Sequence, residues 1–125
     1  MENYGIFYEK TEDGREWVRV KVYKHDFRLS LHENIKDSYE NCMEYSKNQG
    51  CKLPSKMEWE IINIYIEEIE QVIEEHNGDP FQLSLWSETK FSFYTAFLYS
   101  RLHRGLYYNY ISYRFSARLL AYPND

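Results

Sequence analysis

Lys, Glu, Gln, Met and Trp are all absent from the last 35 residues of the chain. The preceding 90 residues use all five and hold 15 Glu, 8 Lys, 3 Gln, 3 Met and 3 Trp. Residues 91–125 instead carry seven Tyr, four Phe and four Arg. Strands favour aromatic residues, but they also favour Val and Ile, and Ile111 is the only such residue here. Strand composition therefore explains part of the change, and a Tyr-rich contact surface is the alternative.

Cysteine, glycine and long apolar runs are also scarce. Cys42 and Cys51 are the only two cysteines and have no neighbouring Cys or His pair, so we expect reduced thiols and no zinc site. Five glycines form no phosphate-binding loop. No apolar run is long enough to cross a bilayer, and residues 1–13 lack the regions of a signal peptide. We expect a chain that is made in the cytoplasm and does not contact a membrane, with its final location left open.

Charge is unevenly divided between the two parts of the chain. The net charge is −5, which separates into −8 for residues 1–90 and +3 for residues 91–125. The length predicts one domain spanning residues 1–125. His25 and His32 are isolated, and no Ser/His/Asp or Cys/His set is apparent. We therefore predict a protein that is not an enzyme and that uses no metal or cofactor.

The first half of the chain carries turn and helix signals. Asp13-Gly14 predicts a hairpin turn, and Val18, Val20 and Val22 alternate with polar or aromatic residues as in a strand. Ser30 with Glu33, and Ser55 with Glu58, match the capping box that begins helices. Apolar residues at helical spacing follow each box. We predict a first helix over residues 31–48 and a second over residues 56–76.

The second half reads as strands separated by turns. The segments "LSLWSE", "TAFLYS", "LYYNYI" and "RFSARLLAY" follow Gln82, and His103–Gly105 is the expected tip of a hairpin. Strands, two helices and further strands predict an α+β domain with helices packed on antiparallel sheet. The expected core residues of the last segments are Ala96, Phe97, Ala117, Leu119 and Ala121.

Three motifs resemble those of a known family. The segment "GCKLPSKMEWEII" is similar to the "RLPTEAEWE" helix signature of C-type-lectin-like domains of the formylglycine-generating-enzyme type. The segment "LWSETKFSFYTAFLY" is similar to "YWSSTEYS…AW", and "SARLLAY" is similar to "YVRPVRAF". The landmarks span residues 29–122 in the family's order. The resemblance implies a C-type-lectin-like fold, with two helices packed on antiparallel β-sheets.

Proteins with that fold have several different functions, so the functions must be distinguished by specific residues. The formylglycine-generating reaction needs late cysteines, and residues 91–125 have none. Calcium-dependent sugar binding needs Asn- and Asp-containing ligand motifs, and Trp86-Ser87-Glu88 stands where one of them would be. Two departures from the family are Phe97, where Trp is frequent, and Leu119, where Pro is frequent. Arg118 matches the family's closing Arg, and we expect it to be a structural ion-pair partner.

The variable proteins of diversity-generating retroelements fit the missing residue types. In those proteins, template AAY codons mutate at adenines to codons that end in a pyrimidine. Such codons never encode Lys, Glu, Gln, Met or Trp, all of which are absent from residues 91–125. The resemblance implies a bacterial or phage protein in which residues 1–90 are an invariant scaffold and residues 91–122 hold the variable strands. Within these strands, residues 91–116 would form the receptor surface.

We predict a ligand-binding face from strand alternation and turn position. Its members are Phe91, Phe93, Tyr94, Tyr99, Arg101, His103, Arg104, Tyr107, Tyr108, Asn109, Tyr110 and Tyr113. The expected partner is an unidentified protein or small molecule. Arg interleaved with aromatic residues also suits single-stranded nucleic acid, although the acidic chain disfavours it. A structural subunit with an aromatic homo-oligomer interface is the third alternative.

Overall fold

The computed structural model describes residues 4–123 and has the α+β architecture predicted above. Three helices and nine strands occur within these residues. In chain order they are β1 (Gly5–Lys10), β2 (Glu16–Val22), β3 (His25–Ser30), β4 (Ile35–Asp37), α1 (Tyr39–Asn48), α2 (Lys56–Ile64), α3 (Ile66–Glu75), β5 (Ser84–Lys90), β6 (Thr95–Ser100), β7 (Gly105–Tyr110), β8 (Phe115–Ala117) and β9 (Leu120–Ala121).

The strands form two sheets, and the last segment of the chain contributes one strand to each of them. The first sheet has the order β1-β2-β3-β9 and is antiparallel. The second has the order β4-β8-β5-β6-β7, in which only the β5–β8 pair is parallel. The segment predicted as one closing strand is therefore two short strands. The chain passes from the second sheet to the first at Arg118 and Leu119, between β8 and β9.

The N-terminal hairpin forms as predicted. Its turn contains Gly14 with φ of +87°, a conformation that glycine adopts without steric cost. Val18 and Val20 are fully buried, and their neighbour Arg19 lies on the other face, where it pairs with Glu9 and Asp26. The alternating residues of β2 thus separate a core face from a polar face.

The predicted start of the first helix is wrong. Ser30 is the last residue of β3, and α1 begins only after Ser38, whose hydroxyl accepts a hydrogen bond from the Asn41 backbone N–H. Phe27, Leu29 and Leu31 are all buried, so the segment follows the two-residue period of a strand. Pairing of β3 with both β2 and β9 outweighs a local capping motif, whose recognition rests on only two residues.

The second helix begins as predicted but is interrupted. Ser55 and Glu58 form a complete capping box, with both side-chain-to-backbone hydrogen bonds present. Tyr65, with φ of −107° and ψ of 22°, ends α2 and precedes α3. Its N–H donates to the Ile61 and Ile62 carbonyls, so the helix tightens there. The break has no glycine or proline to signal it.

Two apolar clusters hold the fold together. The larger joins the first sheet to α2 and α3, and the smaller joins α1 to the second sheet. Of the expected core residues in the final strands, Ala96, Ala117 and Leu119 are buried, whereas Phe97 and Ala121 are only half-buried. Both cysteines are free thiols. Cys42 lies in the smaller cluster, and burial raises the pKa of its thiol to about 11.

The cap of α2 also anchors a charged cluster. Lys52 Nζ lies 2.8 Å from the Glu58 carboxylate and 2.9 Å from that of Glu88, and the Tyr122 hydroxyl donates to Glu58. Burial alone would raise the pKa of Glu58. The hydrogen bonds from Lys52, the Ser55 backbone and Tyr122 outweigh burial, and the net pKa is lowered.

Replacing Glu58 with glutamine is expected to lower the free energy of unfolding by about 1–2 kcal/mol at neutral pH. Because the folded-state pKa is lowered, the carboxylate's contribution is present above the unfolded pKa near 4.5 and is lost as pH falls through the folded value. The difference between variant and parent should therefore shrink as pH falls below about 4.5, as measured by urea unfolding. Glu60→Gln, at an exposed position on the same helix, is the control.

Candidate functional site: an aromatic patch on the second sheet

Aromatic side chains cluster at one end of the second sheet. Because β6 and β7 are antiparallel, the residues before β6 and those after β7 meet at this end, where the Ile111 N–H donates to the Tyr94 carbonyl at 2.9 Å. Six side chains there are 50–77% exposed. We call them the aromatic patch: Phe91, Phe93, Tyr94, Tyr108, Tyr110 and Tyr113.

The rings of the patch contact one another. Phe91 stacks on Tyr108 with ring centroids 4.1 Å apart and an interplanar angle of 6°. Phe93 meets Tyr94 edge-on at 4.8 Å, and Tyr110 meets Tyr113 at 5.7 Å. These mutual contacts order large apolar side chains that are nevertheless open to solvent.

Local backbone structure positions these rings. The register of β5 against β6 shifts between Trp86 and Lys90, which marks an irregularity in the strand just before the patch. The tight turn that follows is closed by hydrogen bonds from the Phe91 and Ser92 N–H groups to the Thr95 carbonyl. The turn projects Phe93 and Tyr94 beyond the end of the sheet, where they are the most exposed members of the patch.

Cationic side chains flank the rings. Lys56, at the start of α2, places Nζ 4.8 Å from the ring centroid of the half-buried Phe97, which itself contacts Phe91. Lys90 Nζ lies 5.5 Å from the Phe93 ring centroid. Both distances suit cation–π interaction. The sequence-based site omitted both lysines and assigned Phe97 to the core, because their position beside the patch depends on how α2 and the β5–β6 turn pack.

Tyr99 was wrongly predicted to lie on the exposed face. It is fully buried, its ring stacks on Trp59 at 4.8 Å, and its hydroxyl donates to Asn63 Oδ1 at 2.6 Å. Burial raises the pKa of this hydroxyl. Tyr99 shares a sheet face with Phe97, but α2 covers the face at Tyr99.

Two arginines of the predicted site are tied to α3, at the opposite end of β6 from the patch. Arg101 makes two hydrogen bonds of 2.6 and 2.7 Å to the Glu70 carboxylate, and Arg104 lies 3.2 Å from Glu67. The acidic face of α3 thus partly anchors the β6–β7 hairpin. His103 is exposed beside a cleft of about 660 Å³ at this end. The structure does not bring these residues together with the patch.

The two remaining predicted residues are half-buried members of β7. The Tyr107 hydroxyl lies 2.6 Å from Ser84 Oγ, and Asn109 Oδ1 accepts a hydrogen bond from the Tyr110 N–H. Their side chains point to the opposite sheet face from Tyr108, because successive strand residues alternate. The predicted set of twelve is therefore divided among the patch, the far turn, these two positions and the core.

Arg118 has a structural position, but its hydrogen-bonding partners differ from those expected. Its guanidinium is fully buried and donates to the backbone carbonyls of Ser30, Leu31, Asp79 and Pro80, rather than to a carboxylate. Burial lowers the pKa of Arg118 to about 10, so the group remains charged at neutral pH.

Neither a candidate metal cluster nor a helix able to cross a bilayer occurs within residues 4–123. Within residues 4–123, no group of three or more His, Cys, Asp or Glu side chains is placed to hold a metal ion. None of the three helices described has both the length and the apolar character that crossing a bilayer requires.

No protein-family model matches the chain, and no curated protein matches it.

Proposed function

We propose that the chain is a non-enzymatic ligand-recognition domain with a C-type-lectin-like fold, of the retroelement variable-protein type, and that the aromatic patch is its binding surface. The observation that carries the proposal is the coincidence of two features. Six largely exposed aromatic rings form three contacting pairs at one end of the sheet, and all lie in the stretch that lacks Lys, Glu, Gln, Met and Trp. Contiguous exposed apolar side chains of this kind often mark interaction sites.

The chemistry of the patch suits recognition of varied partners. Tyr and Phe give large, rigid contact area with few rotatable bonds, and the Tyr hydroxyls add hydrogen bonds. Ser92 and Ser112 are also exposed among the rings and can adapt their hydrogen bonding. Lys56 and Lys90 at the rim supply positive charge that favours partners with carboxylates near an apolar surface.

The division of roles between scaffold and surface supports the variable-protein type. Patch rings contact one another in pairs, and Phe91 and Tyr113 also contact half-buried rings beneath them. Trp59, Trp86 and Arg118, in contrast, hold the two sheets and the helices together. Side chains on the patch can therefore be exchanged without loss of the core. A surface that is diversified in nature requires this separation.

A display library tests the proposal. The six patch codons are replaced with NNY codons, and the library is selected against a panel of unrelated proteins. We expect most variants to fold and binders to appear roughly tenfold more often than from a control library of equal diversity on the exposed face of α3. If most patch variants fail to fold, or the two libraries perform alike, the patch is not a recognition surface.

Single-stranded nucleic acid is the second candidate, because lysines flank rings on which bases could stack. The positions of the four arginines in residues 91–125 argue against nucleic-acid binding. Arg101 and Arg104 pair with acidic side chains, and Arg118 is buried, so only Arg114 of the four is largely exposed. Fluorescence anisotropy with a labelled oligothymidylate decides the matter. Tight binding at about 50 mM salt that weakens steeply by about 200 mM would favour this candidate.

A further inference from the structure

The outer edge of β7 differs from the other sheet edges. β7 is six residues long, contains no charged residue, and is the last strand of its sheet. Long, uncharged edges readily pair with another strand, and proteins usually protect them. β1 ends in Glu9 and Lys10, and β4 is short and contains Lys36 and Asp37. The two-residue β9 is bridged by Lys52.

Backbone geometry shows which groups of β7 face outward. The hydrogen bond from the Ile111 N–H to the Tyr94 carbonyl makes this a hydrogen-bonded pair in the β6–β7 register. Hydrogen-bonded and non-hydrogen-bonded pairs alternate along antiparallel strands. The N–H and C=O groups of Leu106, Tyr108 and Tyr110 therefore point away from β6.

Two of these three residues offer free backbone groups. The outward N–H of Tyr110 is already bonded to Asn109 Oδ1. Within residues 4–123, no group is shown to bond the outward N–H or C=O of Leu106 or Tyr108. An incoming strand could pair with both residues without breaking any hydrogen bond of the single copy.

We propose that two copies of the chain pair through these β7 edges, antiparallel and related by a two-fold axis at Tyr107. Leu106 of each copy then faces Tyr108 of the other, and each such pair exchanges two N–H···O=C bonds. The two Tyr107 residues face each other at the axis as a non-hydrogen-bonded pair. The two five-stranded sheets become one sheet of ten strands.

A second copy fits this edge for three reasons. Each copy presents equal numbers of outward donors and acceptors, so the two-fold arrangement satisfies all of them. The neutral edge sets no like charges opposite each other, although each chain carries a net charge of −5. In the paired state, the Leu106 side chain of each copy also packs beside the half-exposed Tyr108 of the other copy.

The dimer does not depend on the proposed recognition function. Pairing uses backbone groups, so side-chain diversification of residues 91–116 would leave most of it intact. The two-fold axis would place both aromatic patches on the same face of the joined sheet. A partner with repeated sites could then bind both patches at once.

Sedimentation equilibrium tests the dimer. The edge is small, so we expect a dissociation constant on the order of 10–100 µM. The measured mass should approach twice 15.3 kDa as concentration rises from about 5 to about 500 µM. A chain that stays monomeric over this concentration range contradicts the proposal. Binding of a foreign extended peptide to the β7 edge of a monomeric chain would contradict it as well.

Tyr108→Pro and Tyr108→Val form a matched pair of variants. Both remove the ring, but only proline removes the outward N–H, at an edge position where proline is tolerated. We expect Tyr108→Pro to weaken dimerisation by at least about tenfold relative to Tyr108→Val. Equal dimerisation of the two variants would show that the β7 backbone does not form the contact. Thermal unfolding checks that both remain folded.

Disulfide cross-linking tests the dimer without placing a proline in β7. In a Cys51→Ser background, Tyr107→Cys should form an intermolecular disulfide, because opposed residues of a non-hydrogen-bonded pair have Cα atoms about 4.5 Å apart. Asn109→Cys is the control, since the axis separates its two copies by four residue positions. Efficient cross-linking of Asn109→Cys but not of Tyr107→Cys would exclude the proposed register.

Discussion

Replacing Arg118 with alanine is expected to lower the free energy of unfolding by about 3–5 kcal/mol, a large part of the stability of a domain this size. The guanidinium donates to four backbone carbonyls where the chain crosses between the sheets. Without it these carbonyls lose the hydrogen bonds from the guanidinium, and the Leu31 carbonyl keeps its hydrogen bond from the Asp79 N–H. The space over the Phe81 ring, 4.6 Å from the guanidinium carbon, is left empty. Urea unfolding followed by tryptophan fluorescence measures the loss.

Arg118→Met separates the two contributions to this loss. Methionine fills most of the space but donates no hydrogen bonds, so we expect about 2–3 kcal/mol of destabilisation from the carbonyls alone. Arg118→Lys restores the charge but lacks the planar fork that reaches several carbonyls, and it should fall between methionine and the parent. An alanine variant within about 1 kcal/mol of the parent would mean that the buried guanidinium does not hold the crossing.

Tyr99 and Tyr108 should respond very differently to alanine, although both are tyrosines on adjacent strands. Tyr99→Ala is expected to cost about 3–5 kcal/mol, because it removes a buried ring stacked on Trp59. Tyr108→Ala is expected to cost less than about 1 kcal/mol, because its ring is half-exposed and contacts another exposed ring. Chemical denaturation at a protein concentration low enough to avoid self-association measures both.

Tyr99→Phe is the control for the buried site. It keeps the stacked ring and removes only the hydroxyl that donates to Asn63, so a loss of about 1 kcal/mol is expected. If Tyr108→Ala destabilises the chain as much as Tyr99→Ala, the patch is part of the core, and its role as an exchangeable surface fails.

Local signals in the sequence predicted those parts of the fold that depend on neighbouring residues. The hairpin turn falls at residues 101–104, next to the predicted tip at His103–Gly105, since Gly105 already begins β7. The Asp13-Gly14 turn and the Ser55–Glu58 cap form as predicted, and each rests on conformational preferences within about four residues. The predicted cap at Ser30 failed for the opposite reason. Its segment is fixed by pairing with β2 and β9, the second of which lies about 90 residues away in the chain.

The candidate site shows the same limit. Alternation correctly placed Tyr108 and Tyr110 on the exposed face, but the predicted face also included Tyr107, which points to the opposite side of the sheet. It also included Tyr99, since alternation does not reveal that α2 covers one end of that face. Nor does composition distinguish a free arginine from one paired with a distant helix, as Arg101 is with Glu70. Contacts between residues far apart in the chain decided each of these positions.

Sequencing the source genome around this gene tests the proposed function most directly. A reverse transcriptase gene should lie nearby, with a repeat of the 3′ coding region for about residues 91–116. The repeat should differ from the gene only at positions where the repeat has adenine, and the affected codons should include those of the aromatic patch. The absence of both the repeat and the reverse transcriptase gene would contradict a diversified recognition surface, whatever the fold.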